Sequence, residues 1–94
     1  MASEAYGKTR AALVQLIGER KLLERRRSEL AAEFTRWEER AGKARASGEI
    51  DAARKALARC EEIGEKDATL KADILRLKKE IEATESQLRK VTLR

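Results

Sequence analysis

Apolar residues recur along this chain at alternating steps of three and four. Every seventh residue from Tyr6 gives Tyr6, Leu13, Arg20, Arg27, Phe34 and Ala41; every seventh from Thr9 gives Thr9, Leu16, Leu23, Leu30, Trp37 and Ala44. These are the a and d positions of a heptad repeat. A second stretch resumes the spacing at Leu70, Ile74, Leu77, Ile81, Thr84, Leu88 and Val91. Ahead of it the apolar positions read Ile50, Ala53, Leu57, Cys60 and Ile63, with two successive steps of three from Leu57 to Ile63. That reading predicts a stammer, a local overwinding of the coiled coil. Gly64 follows it as a weak point, since glycine inside a helix costs about 1 kcal/mol relative to alanine.

The pattern breaks at Ala46-Ser47-Gly48-Glu49. It predicts a helix over about 3–46, a turn at 47–48 and a helix over about 49–92, in one domain spanning 1–94. Gly48 is free to take positive φ and end the first helix, and Asp51 places an acid in the first turn of the second. A short connection without proline folds the second helix back on the first. The expected fold class is all-α, two long helices in an antiparallel coiled-coil hairpin. Folding about Ser47 sets Trp37 opposite Leu57, Phe34 opposite Cys60, Leu30 opposite Ile63, Leu13 opposite Ile81 and Tyr6 opposite Leu88. The polar interruption Arg27 falls opposite Asp67, which predicts an ion pair within the seam. Arg20 faces Ile74, so its guanidinium is expected to reach out to water. Ala41, Ala44, Ala46, Ala52, Ala53 and Ala56 flank the turn and predict a close approach of the helices there.

Composition narrows the function. Charged residues make up 41% of the 94 and aromatics 3%, a balance typical of long helices. Five glycines and no proline cannot punctuate a sandwich or barrel. Histidine, the commonest general base, is absent, and a pair of helices offers no deep pocket. No metal-ligand spacing, phosphate loop or nucleophile constellation occurs. The expectation is a non-enzymatic protein with no cofactor and no small-molecule substrate. Cys60 is the single cysteine and has no internal disulfide partner, which fits a reducing compartment. No stretch approaches the roughly 18 apolar residues of a membrane span, and Met1 to Arg10 lacks a signal-type apolar core. A cytoplasmic location is expected.

Two groups of side chains are candidates for contact. Val14, Ile17, Leu22 and Leu75 fall outside the two-helix seam and broaden the apolar surface away from the turn, which predicts packing against another copy. Arg20, Lys21, Arg25 and Arg26 form a basic cluster, interleaved with Glu19, Glu24 and Glu29. With a net charge of +5, the cluster predicts only weak, salt-sensitive binding to anionic lipid or nucleic acid. Trp37, Phe34 and Cys60 are assigned to the seam as packing residues.

The run Lys21-Leu22-Leu23-Glu24-Arg25-Arg26, then Trp37-Glu38-Glu39-Arg40-Ala41, then Gly48-Glu49-Ile50-Asp51-Ala52-Ala53-Arg54-Lys55-Ala56-Leu57 resembles the phage shock protein A family, which includes the vesicle-inducing protein of plastids. The likeness covers roughly Ala11 to Val91. It implies a hairpin equivalent to that family's second and third helices, within an ESCRT-III-like group that guards the bacterial inner membrane, assembles into larger structures and in some cases holds an AAA+ activator inactive. A role in membrane-stress response, peripheral to the inner membrane and exerted through protein–protein association, is what the resemblance implies. The 94 residues include no counterpart of the family's membrane-inserting amphipathic helix or of its later helices, so association rather than membrane remodelling is the expected activity. Two alternatives remain open: an RNA-gripping arm similar to that of seryl-tRNA synthetases, and a generic oligomerisation module.

Overall fold

The structure is a computed structural model that describes residues 2–93. The protein is all-α: α1 (Ala2–Ala46) and α2 (Ile50–Thr92) form an antiparallel helical hairpin. Acids in the first turns (Glu4, Asp51) and bases in the last turns (Lys43 and Arg45, Arg89 and Lys90) complement the two helix dipoles. Among the described residues no helix is long and apolar enough to cross a membrane.

The turn stops α1 through backbone geometry. Gly48 takes φ 77°. Its N–H donates to the Arg45 carbonyl at 3.1 Å, and the Glu49 N–H donates to the Ala44 carbonyl at 2.8 Å. These nested bonds make a Schellman motif, with glycine at the left-handed position where an L side chain would be strained. The Ala53 N–H then donates to the Glu49 carbonyl at 3.0 Å, the first bond of α2.

Both helices contribute to each of two contact units. The first spans Arg25–Lys71 and contains the turn. Its interior is Leu30, only 1% exposed, with Ala41, Ala44, Ala53, Ala56, Cys60 and Ile63. Along α2 the covered positions are Ala53, Ala56, Cys60, Ile63, Asp67 and Leu70, an unbroken alternation of three and four. The predicted stammer is absent from this unit. Leu57, assigned to the seam from its size, is 41% exposed, and Ile50 is exposed too. The seam position is Ala56, because only this choice keeps the heptad in phase. The small Ala56 also leaves room for the indole of Trp37, with which it lines a common groove. Ala46 and Ala52 point outward, unlike their neighbours on the seam.

The second unit comprises the residues up to Glu24 with those from Ala72 onward. Thr9, Ile74, Leu77 and Ile81 are buried, and Leu13, Leu16, Leu23, Thr84, Leu88 and Val91 are half-buried. Tyr6, expected in the seam, is exposed. Arg20 sits at a seam position, and its Nε is enclosed without a hydrogen-bond partner, 3.5 Å from Glu24 Oε1. The guanidinium therefore does not escape wholly to water as expected; its inner nitrogen stays in the seam.

Candidate functional site

The expected seam ion pair is present. Arg27 Nε donates to Asp67 Oδ1 at 2.7 Å and Nη2 donates to Oδ2 at 3.0 Å, a bidentate fork. The hydrogen bonds from Arg27 hold the Asp67 carboxyl below its ordinary pKa, and the same bonds raise that of Arg27. Cys60 is buried beside the backbone of Phe34, its Sγ donating to that carbonyl at 3.9 Å. Both pairs follow the register expected from folding about Ser47. They fix the alignment of the two helices.

The four apolar candidates all belong to the unit away from the turn. Val14 is 61% exposed, Leu22 63% and Leu75 56%. Ile17 is half-buried, so it belongs to the margin of the seam rather than outside it. At 100° per residue, Val14 and Ile17 lie about 60° apart on one flank of α1, and Leu22 lies about 80° from Val14 on the opposite side. Three large apolar side chains of this unit are thus left facing water.

Two of the four members of the basic cluster lie against acids. Arg26 reaches Glu29 at 3.2 Å and Glu33 at 3.8 Å, and Arg20 lies against Glu24. Lys21 and Arg25 are exposed.

The structure draws attention instead to the turn. Between Arg40 and Arg59 the chain carries Arg40, Lys43, Arg45, Arg54, Lys55 and Arg59 against Glu49 and Asp51. This short segment holds most of the net charge of +5. Part of it rims a groove of about 390 Å³ whose apolar lining includes Trp37, Ala44, Ala52 and Ala56. The Arg40 guanidinium lies 4.7 Å from the centroid of the Trp37 ring, and that of Arg59 lies 5.7 Å from it. Trp37 is half-buried, so it is both a packing residue and part of the surface. The i, i+3 spacing of Trp37 and Arg40 is a sequence signal for the first of these contacts. The second depends on the register that brings Arg59 across.

No family model, curated protein or solved structure matches the chain.

Proposed function

We propose that the protein is a non-enzymatic coiled-coil module that works by protein–protein association, in the first instance with another copy of itself. The observation that carries this reading is uncovered apolar surface in the unit away from the turn: Val14, Leu22 and Leu75 all stand more than half exposed. A second hairpin packed there would cover these side chains in a four-helix region.

The finer reading is a scaffold or regulator similar to the phage shock protein A hairpin, acting in membrane-stress response and peripheral to the bacterial inner membrane, with an AAA+ activator as a candidate partner. Its support is the Trp37 to Leu57 motif and the tight turn that this motif encodes.

Sedimentation equilibrium of the wild type and of a Val14→Glu, Leu75→Glu variant tests the association. A wild type heavier than one chain at micromolar concentration, with the variant monomeric and still helical, is the expected result. A monomeric wild type that is fully helical contradicts it. Inhibition of an AAA+ activator's ATPase by the wild type would support the finer reading.

A further inference from the structure

We infer that the groove beside the turn is a binding site for single-stranded nucleic acid, with bases stacking at Trp37 and phosphates held by Lys43, Lys55 and the flanking arginines. Two observations point there independently. The first is charge. Acids interleave with bases in the Arg20 to Arg27 cluster, where Arg26 and Arg27 are already engaged by carboxylates. Around the turn bases outnumber acids: Arg40, Lys43 and Lys55 line a single groove with one acid, Glu49, while Arg59 beside it is engaged by Glu62 at 3.3 Å. A polyanion lying there releases counterions from several phosphates at once.

The second is the aromatic platform. Trp37 is the single tryptophan of the chain, and the guanidiniums of Arg40 and Arg59 both lie over its ring. The guanidiniums cover the ring, so an incoming base stacks on a guanidinium or displaces it from the indole; both are planar surfaces on which unpaired bases stack. An acidic helix would satisfy the cations without stacking on that platform. An open groove of about 390 Å³ with an alanine-rich apolar lining suits a flat base better than the bulky apolar anchors of a docked helix.

The test is titration of the protein with a uridine 10-mer, with heparin and with polyglutamate, followed by Trp37 emission and by anisotropy of labelled ligand. The oligonucleotide is expected to quench Trp37, and heparin and polyglutamate are expected to leave its emission unchanged. If four phosphates are neutralised, the slope of log affinity against log salt is about −2.8, or about a 50-fold loss between 50 and 200 mM. A Lys43→Gln, Lys55→Gln variant, altered only at groove-rim cations, should bring the slope to about −1.4. An Arg40→Gln variant keeps the seam residue Trp37 and should weaken quenching. The inference is overturned if the oligonucleotide leaves Trp37 emission unchanged. It is equally overturned if the Lys43→Gln, Lys55→Gln variant retains the wild-type slope, or if polyglutamate binds as tightly and quenches as strongly.

Discussion

Arg27 and Asp67, forty residues apart in the chain, meet through two parallel hydrogen bonds of 2.7 and 3.0 Å. The bidentate fork needs both the axial level and the rotation of the two helices to be right, so it reports register more sharply than any apolar contact. An ion pair interrupting an apolar seam is costly to desolvate and selects one alignment over its slipped alternatives. Removing one partner leaves the other charge facing the apolar seam, though with about a third of its side chain still in water. We expect Asp67→Ala to lower the melting temperature more than the double replacement Arg27→Leu, Asp67→Leu. A double variant less stable than the single would show that the pair supports stability rather than register.

The pair also sets an acid dependence. The folded protein holds the Asp67 carboxyl below its ordinary value, chiefly through the hydrogen bonds from Arg27. The unfolded chain therefore binds this proton first as pH falls. The contribution of Asp67 is complete above the unfolded value, about 3.9, and is lost as pH drops through the lower folded value. Melting curves from pH 7 to 2 should show a steeper acid loss for the wild type than for Asp67→Asn. Parallel profiles would contradict the assignment.

Ala56 rather than Leu57 occupies the seam, and the two positions should respond oppositely. Ala56→Leu overpacks a position that is nearly fully buried and should cost about 1–3 kcal/mol. Leu57→Ala should cost far less than the roughly 2–5 kcal/mol expected for Leu30→Ala. Urea titrations of the three variants decide it; a large loss from Leu57→Ala would restore the stammered register.

Glycine has opposite roles at two positions. A Cβ on Gly64 would meet nothing within 4 Å, so Gly64→Ala should stabilise α2 by about 0.5–1 kcal/mol. Gly48 also has open space, but its φ of 77° makes Gly48→Ala destabilising by about 1–2 kcal/mol. Chemical denaturation of both variants should give changes of opposite sign.

Much of the fold was legible in the residues themselves. The α1 heptad from Thr9 to Ala44, the stop at Gly48 and the Arg27–Asp67 pair all follow from spacing and from folding about the turn. The α2 seam near Ala56 was harder, because size suggested Leu57 while phase required alanine. Ile17 was misplaced for a related reason: a position beside the seam is half-covered, neither core nor surface. The basic groove was obscured in the linear order, since its cations lie on both sides of the turn and separate when the chain is divided there. The contact of Arg59 with Trp37 required the paired helices. Arg20 had a position in the pattern, but no spacing rule shows which way its long side chain folds.

The proposed association through the unit away from the turn would make stability depend on protein concentration, because assembly stabilises only the folded state. Thermal melts followed by helical circular dichroism across a hundredfold concentration series measure this. The account predicts a melting temperature that climbs with concentration in the wild type and stays flat in Val14→Glu, Leu75→Glu. A cooperative wild-type transition at the same temperature throughout the series would contradict it.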